Sequence, residues 1–88
     1  MKTKKDKDLD YEFNRIAGEV LRDKREKSGL TLEQLGKRVR TTRQNIYKYE
    51  YNLSRIKVDM FISMCYALGE DPNKVFDEIK EKFDKTKL

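Results

Sequence analysis

The chain contains no histidine, one cysteine and one proline among its 88 residues. Without histidine it lacks the commonest general base, the commonest metal ligand and the usual partner of a nucleophilic serine or cysteine. Carboxylates are plentiful, but they alternate with lysines as solvated helix faces do. Catalysis is therefore not expected, and neither is a metal or other cofactor. Cys65 stands alone, which excludes an internal disulfide, and its neighbours Phe61, Met64 and Leu68 mark it as a small buried hydrophobe. No stretch is apolar enough for a membrane span, and the basic N-terminus lacks the apolar run of a signal peptide. The expected location is the cytoplasm.

What is present is charge: 42% of residues are charged and 36% hydrophobic, in a length suited to one small domain with a modest core. Folding then depends on efficient helical packing. Tyr11, Phe13, Ile16, Ala17, Val20 and Leu21 recur at helical spacing, forming one stripe on a first helix that Ser28 and Gly29 stop. Thr31 fits an N-cap, and Gln34 completes a capping box for a second helix over about 32–39, with Leu32, Leu35 and Val39 inward. Thr42 caps a third helix over about 43–51, with Ile46 and Tyr49 inward. A connection over 51–57 leads to an apolar fourth helix, about 58–68, that Gly69 closes. Asp71 caps a fifth, with Pro72 at its first position and Val75, Phe76, Ile79 and Phe83 repeating along it. No segment alternates as a strand, so the chain reads as all-α. Residues 1–10 read as a charged, disordered tail, 11–79 as the domain, and 80–88 as a charged C-terminal helix extension or tail.

The positive charge is concentrated. Between Lys37 and Lys57 stand seven Lys/Arg and a single acid, Glu50, whereas the rest of the chain has fourteen bases against fifteen acids. A localised excess of this kind attracts a polyanion. Within the window, residues 32–50 read as two short helices joined by a tight turn, a helix-turn-helix. Helices that cross so closely need a tiny residue at the crossing, and Gly36 stands where that requirement falls. Leu35, Ile46 and Tyr49 lock the pair onto the first and fourth helices. Arg43, Gln44, Tyr47 and Lys48 are left facing outward, with Tyr51 at the edge. Arg and Lys donate to guanine O6 and N7, and a Gln amide pairs with adenine N6 and N7, at about 1–3 kcal/mol of discrimination per bidentate contact. Arg43 and Gln44 lie in the first helical turn, where recognition helices approach bases most closely. A merely solvated face would intersperse acids, which are missing here.

The segments GEVLRDKREKSGLTLEQLGKRV, TTRQNIYKYE and FISMCYALGEDPNKVF closely resemble the phage repressor/Cro-type helix-turn-helix family, also called the xenobiotic-response-element family, over residues 18–76. The resemblance rests on linked features: a G-L-T start to helix 2, a Thr-capped recognition helix ending in Glu, and an A-L-G end to helix 4. It implies a compact five-helix bundle, the lambda-repressor-like DNA-binding domain, and double-stranded DNA as partner, usually bound by a homodimer on a palindromic operator. Arg43, Gln44 and Lys48 match the family's principal base-reading positions, and Tyr47 beside them is a further base-reading candidate. Arg25 matches an arginine that pairs with the glutamate represented here by Glu50, a structural ion pair that explains the one acid in the basic window. Thr42 and the connection residues Tyr51, Asn52, Ser54, Arg55 and Lys57 fall where phosphates are contacted.

Three positions depart from the family pattern. Leu32 replaces a glutamine that touches phosphate, although the helix N–H groups there remain. Arg40 replaces the turn glycine, where a left-handed conformation costs about 1–2 kcal/mol; either the turn differs or Arg40 contacts phosphate in compensation. Ile56 replaces a proline and is, with Val75, Ile79 and Phe83, a candidate dimer contact; packing on the chain's own core is the alternative.

The expected function is a sequence-specific transcriptional regulator, bacterial or phage-encoded, acting as a homodimeric repressor with helix 3 in the major groove. No small-molecule ligand is expected. The alternative is an antitoxin or anti-repressor-like module of the same fold whose main partner is a protein, since exposed Tyr47 and Tyr51 would also serve a protein interface. A single-strand binder stacking bases on its tyrosines is disfavoured, because the aromatics do not line one groove.

Overall fold

The computed structural model describes the backbone of residues 4–86 and the side chains of residues 11–86. Five helices follow in order: α1 (Lys4–Lys27), α2 (Leu32–Arg38), α3 (Arg43–Glu50), α4 (Val58–Ala67) and α5 (Pro72–Thr86). No strand occurs among the described residues, so the chain is all-α as expected. Nor is any described helix long and apolar enough to cross a membrane.

Helix starts follow from local hydrogen bonding. The Thr31 hydroxyl accepts from the Gln34 N–H at 3.0 Å, and the Gln34 side chain accepts from the Thr31 N–H at 2.9 Å. That reciprocal pair satisfies two N–H groups that the first turn of α2 would leave without a partner. The Thr42 hydroxyl does the same for Asn45 at 3.1 Å and so opens α3. At the N-terminus the structure departs from expectation. Residues 4–10, read as disordered tail, continue α1 backwards as helix. No glycine or proline stands between Lys4 and Tyr11 to break it. Met1–Thr3 lie outside the described residues.

The α1 stripe forms the centre of the core. Ile16, Ala17, Val20 and Leu21 pack with Leu35 of α2, Ile46 of α3, Met64 and Cys65 of α4, and Val75, Ile79 and Phe83 of α5. The hydrophobic stripe of α5 therefore folds back along α1 to Phe83, whose ring meets Phe13 edge-on at 5.2 Å. The packed body thus reaches four residues beyond 79. Lys24 ties α1 to the other end of α5, standing 3.3 Å from both Glu70 and Glu78.

Candidate nucleic-acid interface

Two glycines set the position of α3. A Cβ on Gly36 would stand 2.9 Å from the Thr41 carbonyl oxygen, so the crossing of α2 by the following turn requires glycine there. A Cβ on Gly18 would stand 2.5 Å from the Tyr49 carbonyl oxygen and 2.8 Å from that of Glu50. Thus α1 abuts the last carbonyls of α3 backbone to backbone. The sequence marks Gly36 through its place in the motif, but nothing local marks Gly18.

The turn between α2 and α3 keeps its left-handed residue. Arg40 has φ of 61° and an exposed side chain, so the departure from glycine changes the residue and not the conformation. Its strain is borne by a turn whose next N–H, on Thr41, bonds the Gly36 carbonyl at 2.8 Å.

Arg25 and Glu50 form the ion pair that the resemblance implies. Arg25 Nε donates to Glu50 Oε2 at 2.7 Å and Nη2 donates to Oε1 at 3.0 Å, a bidentate geometry. Its third arm, Nη1, donates to the Leu30 carbonyl at 2.8 Å. Glu50 is 2% exposed and Arg25 9%. The hydrogen bond to Glu50 raises the Arg25 pKa above its ordinary value, against the opposing effect of burial. The glutamate is therefore scaffold: it joins the end of α3 to α1 and to the loop entering α2.

With Ile46 and Glu50 buried, the opposite face of α3 looks outward. Arg43, Gln44, Tyr47 and Lys48 are all exposed on it. Asn45, between them, is half-buried and donates to the Thr41 hydroxyl at 2.8 Å, which holds the turn before α3. Tyr47 and Tyr51 stack with ring centroids 4.6 Å apart and planes 31° from parallel. The Arg22 guanidinium, from α1, lies 4.8 Å from the centre of the Tyr51 ring. The neighbouring Tyr51 side chain raises the Arg22 pKa above its ordinary value, against the opposing effect of burial. Only the four-residue spacing of the tyrosines was legible beforehand; Arg22 was not.

The residues expected along phosphates divide. Thr42, Arg40, Tyr51, Arg55 and Lys57 are exposed. Asn52 is a correction: its Oδ1 accepts from Asn14 of α1 and its Nδ2 is shut off from solvent, so it faces the scaffold. Asn14 also donates to the Ser54 carbonyl at 3.3 Å and accepts from the Ile56 N–H at 3.3 Å. One asparagine on α1 thus anchors the whole α3–α4 connection, in which half-buried Ser54 takes part through its backbone. Asn52 itself has φ of 60°, a conformation asparagine tolerates better than most residues.

The dimer candidates pack inward, the alternative that the sequence left open. Val75 and Ile79 are each 1% exposed, Phe83 is buried, and half-buried Ile56 packs against the core. Their apolar surface is consumed within the chain, because α5 needs that stripe to close on α1. Among the apolar residues that stay exposed, which include Leu53 and Tyr66, Val58 and Ile62 of α4 and Phe76 of α5 lie together. They border a groove of about 500 Å³ floored by Phe13, Phe61 and Pro72. Val58 is 76% exposed, a large apolar surface for the first turn of a helix.

A family model described as helix-turn-helix matches residues 21–75. Over 76 residues the chain is 32% identical to a Pyrococcus furiosus protein whose name proposes an HTH-type transcriptional regulatory protein, covering 86% of this chain and 24% of that one. The chain thus spans about a quarter of the length of the curated relative it matches. Among solved structures, two of the clp gene regulator ClgR from Corynebacterium glutamicum share the fold. One superposes with a TM-score of 0.74 at 24% identity, over 80% of this chain and 91% of that one. The other gives 0.78 at 23% identity, over 84% and 79%.

Proposed function

The chain belongs to the helix-turn-helix family, in its xenobiotic-response-element branch, and from that premise we propose that it is a sequence-specific transcriptional regulator of double-stranded DNA. The observation that carries this reading is the outward face of α3. Arg43, Gln44, Tyr47 and Lys48 are exposed together on a helix whose inner face is locked by Ile46 and the Arg25–Glu50 pair. A recognition helix must be rigid to read base edges, and this one is held from behind by α1.

In this reading Arg43, Gln44 and Lys48 contact bases, while Thr42, Arg40, Arg55 and Lys57 contact phosphates and fix the register. The protein acts as a cytoplasmic homodimer on a palindromic operator and represses by occupying it. The surface for pairing is the outward face of α4 and α5 at Val58, Ile62 and Phe76, in place of the inward stripe. Function rests on binding and not on catalysis. A competing reading, a protein-binding antitoxin or anti-repressor-like module, draws support from the same apolar face.

Selection of bound sequences from random duplex DNA tests the proposal. Enrichment of a palindrome supports both the function and the symmetry. Arg43→Ala or Gln44→Ala should then relax base preference, whereas Lys57→Ala should weaken binding equally on all sequences. Absence of enrichment would favour the protein-binding reading. Val58→Lys should abolish dimers in sedimentation analysis, and dimers that survive it would place the interface elsewhere.

A further inference from the structure

Arg22, Tyr51 and Tyr47 form a ladder that the core does not need. Both tyrosine rings are nearly half exposed, at 45% and 46%, on a surface otherwise rich in charge. The hydrophobic core closes without either of them. Yet Tyr47 stacks on Tyr51, and Tyr51 lies beneath a guanidinium from another helix. The last rung is firmly based. Tyr51 caps α3, its N–H bonding the Tyr47 carbonyl at 3.0 Å, immediately after the buried Glu50. Arg22 and Arg25 stand three apart on α1 and so share a face. One holds residue 50 and the other holds residue 51.

An exposed tyrosine on a helix ordinarily samples several side-chain conformations. Stacking on Tyr51 and the cation beyond it each favour one of them. A planar ring held in one orientation on the outer face of a recognition helix is an apolar surface. In the major groove the apolar feature of a base pair is the thymine C5-methyl group.

We propose that Arg22 and Tyr51 are positioning residues that hold the Tyr47 ring against a thymine methyl, which makes Tyr47 a specificity-determining residue. This rests on the DNA-binding reading above. It differs from a phosphate contact by Arg22 or Tyr51, which would add affinity without base preference.

The test compares the parent protein with Arg22→Ala, Tyr51→Leu and Tyr47→Ala. Sequences bound from random duplexes identify the base pair whose preference Tyr47→Ala abolishes. Arg22→Ala and Tyr51→Leu should relax preference at that same pair. Replacing its thymine by uracil, which lacks the methyl, should weaken the parent about fourfold, as expected for one buried methyl group. The three variants should be insensitive to that replacement. Tyr51→Leu leaves the charge unchanged, so its salt dependence should match the parent's. Uniform weakening by Arg22→Ala, with a salt slope shallower by about one and thymine sensitivity retained, would make Arg22 a phosphate contact and overturn the proposal. Without DNA, the Tyr47 ring resonances should shift in Arg22→Ala, and unchanged resonances would show that no ladder exists. A parent that enriches no sequence overturns the DNA-binding reading, and this proposal with it, while the resonances still report on the ladder.

Discussion

Replacing Arg40 with glycine should raise the stability of the domain while weakening its hold on DNA. Arg40 sits at φ of 61°, where a side chain costs about 1–2 kcal/mol. Glycine removes that strain but gives the unfolded chain more freedom, which returns about 0.5–1 kcal/mol. The Arg40 side chain is exposed, so little packing is lost. The net gain is therefore between about 0 and 1.5 kcal/mol, with a midpoint of about 0.75 kcal/mol that raises Tm by roughly 3–6 °C for a domain of this size. The same change removes one of the seven bases between Lys37 and Lys57. If Arg40 meets a phosphate, the slope of log affinity against log salt becomes shallower by about 0.9. Thermal melting followed by circular dichroism reads the first effect, and fluorescence anisotropy on labelled duplex across a salt series reads the second. A Tm that fell would refute the strain argument outright. A raised Tm with an unaltered slope would keep the strain and remove Arg40 from the interface.

Glu50→Ala should cost about 3–5 kcal/mol in urea unfolding, because it strands the Arg25 guanidinium in a buried site. Replacing both partners by methionine should cost less than either single change, and additive losses would show that the pair is not coupled. Gly18→Ala should destabilise by about 1–3 kcal/mol, since its methyl would meet the Tyr49 carbonyl oxygen at 2.5 Å and force α1 from α3; a gain in stability, as helix propensity alone predicts, would contradict that contact. Burial pushes the Cys65 thiol up to about 11. At pH 8 iodoacetamide should therefore label it only under unfolding conditions, and rapid labelling of the native protein would mean that the α4 core opens.

Features that depend on neighbours in the chain were legible in the sequence. Thr31, Gln34 and Thr42 announce their helices because a cap joins residues two or three apart. Gly36 was readable because the two helices it separates are joined by a few residues. The charge window was readable because charge needs no geometry to be counted. Arg25 and Glu50 stand twenty-five residues apart, and only the resemblance paired them. Val75, Ile79 and Phe83 were readable as a stripe, but periodicity does not say whether a stripe faces its own core or another chain. That α5 packs on α1 decided it, leaving Val58, Ile62 and Phe76 outside.

The sequence by itself determined five helices, where four of them begin, and which of them carries a basic outer face. Local hydrogen bonding, amphipathic period and charge are properties of short segments, so short segments reveal them. Only the tertiary structure decided what α1 does for α3. Gly18 lets the backbones meet, Arg25 grips Glu50, Arg22 covers Tyr51, and Asn14 turns Asn52 inward from the expected phosphate path. All four lie on a helix outside the helix-turn-helix. Their partners are 25 or more positions away, where no spacing rule reaches; they came together because the α1 stripe had to be buried.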